Sequence, residues 1–196
     1  MKLALFDFDG TLTTKDSLGE FIKFVVGDFR YYFGLVKFSP VFIMWKLKII
    51  KNYEAKERLF ELYFKDMNED EFNNFAHEYS TKHLHKIQRK DAYETFLKHI
   101  EDGDRVIIVS ASMKSWLEPW CKKHEVELLS TELAFEDGKF SGNFATKNCH
   151  GIEKVNRIKS HLNIDDYEVV HAYGDSSGDI EMLELADVKY YKGKRV

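Results

Sequence analysis

Leu3-Ala4-Leu5-Phe6-Asp7-Phe8-Asp9-Gly10-Thr11-Leu12 decides how the rest of the chain is read. An apolar run ends in two carboxylates spaced i, i+2, and a glycine and a threonine follow. On a β-strand, i and i+2 point to the same face. This spacing sets Asp7 and Asp9 together at the end of a buried strand over about residues 2–8, where Gly10 lets the chain turn sharply. Two carboxylates at close quarters repel unless a cation neutralises them. The stretch reads as half of a Mg²⁺ site that also contains a nucleophile. The competing reading is a strand ending in a polar turn, with both aspartates as solvated caps.

Outward from this stretch, residues 16–27 read as a helix. Leu18, Phe21, Ile22 and Val25 recur at helical spacing, and Asp16 or Ser17 can cap it. Helical patterns continue over 54–65, 69–79 and 91–100. Residues 105–110 form a continuous apolar run, the mark of a strand buried on both faces. A helix over 113–124 and a short strand over 126–129 follow. Asp137-Gly138 between alternating runs predicts a β-hairpin within 131–145. A helix over 152–162, a strand over 169–173, a helix over 177–186 and a strand over 188–191 complete the chain.

Strands alternating with helices predict an α/β fold with a parallel sheet and right-handed crossovers. The helical block over 15–88 breaks the alternation and reads as a cap inserted after strand one. The expected organisation is a core of 1–14 and 89–196 with a cap of 15–88. Such a cap would sit above the carboxyl ends of the strands, where open α/β sheets bind ligands.

Composition narrows the function classes. The chain has 196 residues, 44% hydrophobic and 32% charged, enough for a real core. A net charge of −4 argues against nucleic acid as the main partner. Cys121 and Cys149 have neither CxxC nor zinc-finger spacing and read as free thiols of a reducing compartment. With the first residues running straight into strand one, a cytoplasmic location without a signal peptide is expected. Residues 29–50 are dense in aromatics, with Arg30, Lys37, Lys46 and Lys48 interspersed. They read either as a core-facing helix pair broken at Ser39-Pro40 or as an interfacial element that touches lipid.

Four groups of polar residues stand at strand ends or helix starts. They are Asp7 with Asp9; Ser110 with Ala111 and Ser112; Lys154; and Gly174-Asp175-Ser176-Ser177-Gly178-Asp179. Singly, each has an ordinary explanation: Ser110 as a cap for the 113–124 helix, Lys154 as a solvated helix lysine, Asp175 and Asp179 as turn and cap residues. Together they are the inventory of phosphoryl transfer: a hard cation held by oxygens, a nucleophile, donors for phosphoryl oxygens and a positioned acid/base.

The order and sequences of DFDGT at 7–11, VSAS at 109–112, the lysine of GIEKV at 151–155 and GDSSGD at 174–179 resemble the haloacid dehalogenase superfamily. Within it, the resemblance is to the phosphoserine-phosphatase-like branch with a helical cap of the C1 type on a Rossmannoid core. The resemblance implies a phosphomonoesterase with Asp7 as nucleophile and Asp9 as general acid/base. It implies Mg²⁺ bound by Asp7, the Asp9 backbone carbonyl and Asp175. Ser110 and the Ala111 N–H would hold phosphate oxygens, Lys154 would offset negative charge, and Asp179 would orient Lys154 or a metal-bound water. Asp16 stands where phosphoserine phosphatases carry a glutamate that reads the substrate ammonium. The expected partner is a small phosphorylated metabolite. The NCHGIEKV stretch and residues 29–50 also resemble the phosphatidylglycerophosphatases of the same superfamily, which would make the substrate a lipid phosphate and bring residues 29–50 against the membrane.

Overall fold

The strand β1 (Leu3–Phe6) is apolar at every position because sheet neighbours flank it and helices cover both its faces. The computed structural model describes residues 1–196. β1 lies between β2 (Arg105–Met113) and β6 (Val170–Gly174), parallel to both, with Leu5 opposite Ile107 and Ala172. β3 (Glu127–Thr131) extends the sheet beyond β2, and β7 (Val188–Tyr191) beyond β6, both in parallel. A two-residue antiparallel edge, β8 (Lys194–Arg195), closes the order β3-β2-β1-β6-β7-β8.

Alternation along the central strands divides the core. Ala4, Phe6, Val106 and Ile108 face α5 (Lys90–Glu101) and α6 (Lys114–Lys123), packing on Phe96, Trp116 and Trp120. Leu3, Leu5, Ile107 and Val109 face α7 (Ile152–His161) and α8 (Ile180–Leu183), packing on Ile158, Met182 and Leu183. The first cluster runs without a break into a helical block made of α1 (Ser17–Val26), α2 (Asp28–Lys46), α3 (Asn52–Phe64) and α4 (Glu69–Lys82), through Phe21, Phe60, Phe64, Phe72 and Tyr79.

The hairpin forms as the Asp137-Gly138 pair predicts. β4 (Leu133–Glu136) and β5 (Lys139–Phe144) are joined through two residues with positive φ. They form a separate sheet laid against the helical block. Phe140 donates its N–H to the Met67 carbonyl and accepts from Asp66, and the Phe144 N–H reaches Glu57.

Three expectations change. Residues 29–50 are not a broken helix pair: α2 is a single helix through Pro40. The carbonyl of Val36, which the missing Pro40 N–H would have engaged, instead accepts the Ser39 hydroxyl at 2.8 Å. Nor does α2 face the core, since only Gly34 in it is buried. The strand expected to stop at residue 110 continues to Met113, so Ser110 is not the cap of α6, whose N-cap is Met113. The helix expected over 177–186 is shorter, a 3₁₀ turn over Ser177–Asp179 followed by α8. Cys121 and Cys149 are both free and buried.

Two tests follow. A Cβ on Gly34 would overlap the Tyr63 hydroxyl, which donates to the Tyr31 carbonyl at 2.6 Å. Gly34→Ala should cost about 1–3 kcal/mol in urea unfolding, and a variant as stable as the wild type would remove this contact from the account of how α2 docks. At the start of β2, the Arg105 guanidinium grips Glu127 of β3 through two hydrogen bonds of 2.6 and 2.8 Å. That grip, with His161 adding to it, holds the Glu127 carboxyl down to about 2 from an ordinary 4.5. A carboxyl depressed by folding stabilises the fold above its unfolded pKa and loses that contribution as pH falls toward the folded one. The stability gap between wild type and Glu127→Gln should therefore be widest at neutral pH and narrow steadily below 4.5; a gap independent of pH would contradict the pairing.

Candidate active site

The carboxyl ends of β1, β2 and β6 meet at one point. Asp7 leaves β1 with its N–H bonded to the Tyr173 carbonyl of β6 at 2.9 Å. From the opposite layer, α7 sends Lys154 into the same space, 1% exposed. Its ammonium donates to Asp7 Oδ1 at 2.6 Å, Asp179 Oδ1 at 2.6 Å and the Val109 carbonyl at 2.7 Å. Three N–H groups meet three acceptors, so the cation is fully satisfied. Burial works against the charged amine, but the Asp7 and Asp179 carboxylates outweigh it and raise the Lys154 pKa.

Asp179 is shaped by its own loop. Its second oxygen accepts from the Ser176 N–H at 2.9 Å, the Ser176 hydroxyl at 2.8 Å and the Asp175 N–H at 3.2 Å. Burial pushes its pKa up, yet the charge and hydrogen bond of Lys154, with the Ser176 donors, pull it below the ordinary value. Asp7 is less well compensated. Burial raises it to about 7, with the Lys154 charge pulling down and the Asp179 charge pushing up. Asp175 is also raised, by burial and then by Asp179.

Asp9 turns away from this group toward the helical block. Its carboxylate accepts the Ser17 N–H at 2.7 Å, the Ser17 hydroxyl at 3.1 Å and the hydroxyl of Ser112. Trp116 Nε1 donates to the Ser17 hydroxyl at 3.2 Å and Tyr79 to the Ser17 carbonyl at 3.1 Å, fixing that residue in turn. Burial raises Asp9 to about 6, Asp16 pushes the same way, and the Ser112 and Ser17 bonds offset part of the shift.

The position of Ser112 comes from a bulge. Pairing with β3 jumps from Ser110 opposite Ser130 to Met113 opposite Thr131. Ala111 and Ser112 are the unpaired residues of that jump, and an irregularity of this kind re-aims side chains beside a site. Ser110 is buried, and its oxygen accepts the Ser112 N–H at 3.1 Å.

These residues line a cavity of about 340 Å³. Asp7, Asp9, Ser110, Ala111, Lys154, Asp175 and Asp179 form its floor and walls, as the sequence order predicts. Asp16 lies on its rim and also caps α1, accepting the Gly19 N–H at 3.1 Å. Asn52, Lys56 and His150 line it too, the first two outside any motif and His150 within the NCHGIEKV stretch. Lys56 reaches the Ala111 carbonyl at 3.3 Å. His150 stands at the mouth, and a Cβ on Gly178 would overlap its ring. Burial, then the charges of Lys56 and Lys154, lower its pKa. The signal for His150 lay in glycine at 178, whose missing side chain makes room for the imidazole.

Carboxylate oxygens of Asp7, Asp175 and Asp179 lie within 4.8 Å of one another. Asp179 spends both of its oxygens on Lys154 and the 175–176 turn, which leaves Asp7 and Asp175 as carboxylate ligands. The Asp9 carbonyl accepts no hydrogen bond from the protein. One lysine against Asp7, Asp175 and Asp179 leaves the cluster with net negative charge. An all-oxygen donor set of this charge fits a hard divalent cation such as Mg²⁺. Gly10 makes the approach possible: its φ is +81°, and a Cβ there would overlap the Asp175 carboxylate.

The profile of haloacid dehalogenase-like hydrolases matches residues 4–184. Protein CicA of Caulobacter vibrioides is 32% identical over 192 residues, covering 97% of this chain and 85% of that protein. A protein of unknown function from Bordetella pertussis Tohama I has a similar structure, with a TM-score of 0.80 at 21% identity over 96% of this chain and 88% of its own. A phosphoserine phosphohydrolase-like protein from Francisella tularensis gives a TM-score of 0.69 at 18% identity over 96% and 86%. The profile match spans most of the chain and the CicA match nearly all of it, and the chain belongs to the haloacid dehalogenase-like hydrolase family.

Proposed function

We propose that this protein is a Mg²⁺-dependent phosphomonoester hydrolase of the phosphoserine-phosphatase-like branch that works through an aspartyl-phosphate on Asp7. The observation that carries the reading is the meeting of Asp7, Asp9, Ser110, Lys154, Asp175 and Asp179 around one cavity at the carboxyl end of the sheet. Asp7 attacks phosphorus, forming a carboxyl–phosphate bond as the ester oxygen leaves. Asp9 donates its proton to the departing alkoxide, for which a pKa of about 6 is well matched near neutral pH. In the second half-reaction Asp9 takes a proton from the attacking water, phosphate departs and the Asp7 carboxylate is regenerated. The Ser110 hydroxyl and the Ala111 N–H hold the non-bridging oxygens. Lys154 aims Asp7 and favours its ionised form, and Asp179 keeps Lys154 in place. The bound Mg²⁺ would supply positive charge to the phosphoryl oxygens.

The helical block over 15–88 serves as the cap in this reading. Asp16, Asn52, Lys56 and His150 from the cavity rim read the leaving group. A carboxylate (Asp16) and cationic or basic side chains (Lys56, His150) in one lining suit a small zwitterion such as phosphoserine. The second reading, a lipid phosphate, is favoured by the outward apolar face of α2. The two buried free thiols support a reducing, cytoplasmic setting.

Asp7→Asn should abolish turnover of para-nitrophenyl phosphate with the circular dichroism spectrum unchanged; retained turnover would reassign the nucleophile. Exhaustive EDTA treatment should abolish the same activity and Mg²⁺ restore it, so activity that survives EDTA would remove the metal from the mechanism. Lys154→Met strands the buried Asp7 and Asp179 charges and should cost roughly 3–5 kcal/mol in urea unfolding. Adding Asp179→Asn to it should recover part of that loss, and strict additivity of the two losses would show that the charges are not coupled.

A further inference from the structure

We propose that α2 and the turn after it form a docking surface for an anionic lipid bilayer. The pattern of α2 is inverted with respect to an ordinary surface helix. Gly34, Tyr31 and Tyr63 mark the side held against the protein. On the opposite side Phe29, Phe33, Val36, Ile43 and Leu47 follow at intervals of four, three, seven and four. At 3.6 residues per turn they fall in one stripe roughly 80° wide. All five are exposed, Phe29 at 84% and Val36 at 71%. Exposed Ile49 and Tyr53 extend the apolar surface beyond the helix. A water-facing helix normally shows polar residues there, and a contiguous apolar patch marks an interaction site.

Charge selects the partner. Between residues 29 and 53 the chain carries Arg30, Lys37, Lys46, Lys48 and Lys51 and no carboxylate, although the whole chain has a net charge of −4. The helical periodicity puts Arg30 and Lys37 on one flank of the stripe and Lys46 on the other. Three lysines lie over neighbouring rings: Lys37 over Phe33 at 4.8 Å, Lys46 over Trp45 at 4.6 Å and Lys51 over Tyr53 at 5.9 Å. Aromatic side chains rimmed by long cations suit the headgroup layer, where the rings enter the acyl boundary and the ammonium groups meet lipid phosphates. A second copy of this chain would bring five cations against five. No helix is long and apolar enough to cross a membrane, so α2 would lie on the surface.

The surface adjoins the candidate site. Lys51 is followed directly by Asn52, the first residue of α3, which lines the cavity with Lys56 one turn on. Docking would therefore bring the cavity mouth close to the lipid headgroups. The surface stands on exposure and charge alone, independently of the phosphatase reading.

Flotation with vesicles of phosphatidylcholine and phosphatidylglycerol, against vesicles of phosphatidylcholine alone, tests the proposal at low salt. The folded wild type should float with the anionic vesicles only. Phe33→Ser/Ile43→Ser/Leu47→Ser should lose the binding, and Lys37→Glu/Lys46→Glu/Lys48→Glu should weaken it by about fivefold per lysine or more. Both variants alter exposed side chains outside the cavity, so their melting and turnover of para-nitrophenyl phosphate should match the wild type. Failure of the folded wild type to float overturns the proposal. So does binding that neither variant weakens, or concentration-dependent dimerisation abolished by the serine variant without any vesicle binding. Loss of para-nitrophenyl phosphate turnover in Asp7→Asn reports on the phosphatase reading separately.

Discussion

The Lys154 ammonium is the constraint on which the site depends. Asp7 and Asp179 sit in a space almost closed to water, and two carboxylates there would repel and take up protons. One cation, reaching from the α7 layer through the sheet's carboxyl end, separates and neutralises both. Its third bond, to the Val109 carbonyl, ties the ion pair to the backbone of β2. The site is therefore assembled by the same three-layer packing that makes the core. With Asp175 the cluster still carries net negative charge, which is why the donor set suits a divalent cation, while burial keeps Asp7 raised.

Asp9 belongs to a different environment although it is two residues away. Its partners come from the helical block and the β2 bulge: Ser17 at the start of α1, and Ser112. Ser17 is fixed in turn by Tyr79 of α4 and Trp116 of α6. The two aspartates are thus held by separate parts of the molecule, one by charge from the α7 side and one by hydroxyls and an N–H from the helical side. Burial raises both, and each is offset by different partners, Asp7 by the Lys154 charge and Asp9 by the Ser112 and Ser17 hydrogen bonds.

Much of this was legible in the residues. Apolar runs without alternation identified the inner strands, because burial on both faces leaves no polar register to keep. Asp137-Gly138 located the hairpin, because few other pairs tolerate two positive φ values. The site motifs were legible because chemistry fixed both residue type and chain order. Of the two readings of residues 29–50, the core-facing helix pair fails: aromatic density signals burial in a helix only if the facing surface exists, and in α2 only Gly34 is buried. Pro40 suggested a break, but Ser39 supplies the bond that the proline removes. Asn52 and Lys56 stood outside every motif, and His150 stood in the NCHGIEKV stretch without a role of its own. They reach the cavity through tertiary packing, from positions whose local sequence gives no reason to expect them there.

The hairpin has a consequence for how the molecule is made. β5 supplies backbone partners to Asp66 and Met67, and Phe140 covers Phe60 and Phe72. During synthesis the four helices of the block leave the ribosome well before residue 144, so their aromatic interior has no lid until the hairpin arrives. β1 waits longer, since its sheet partners begin only at Arg105 and Val170. β1 is therefore enclosed only after β6 has been made, about 165 residues later in the chain. Non-local closure of this kind slows folding and leaves apolar surface open in the nascent chain.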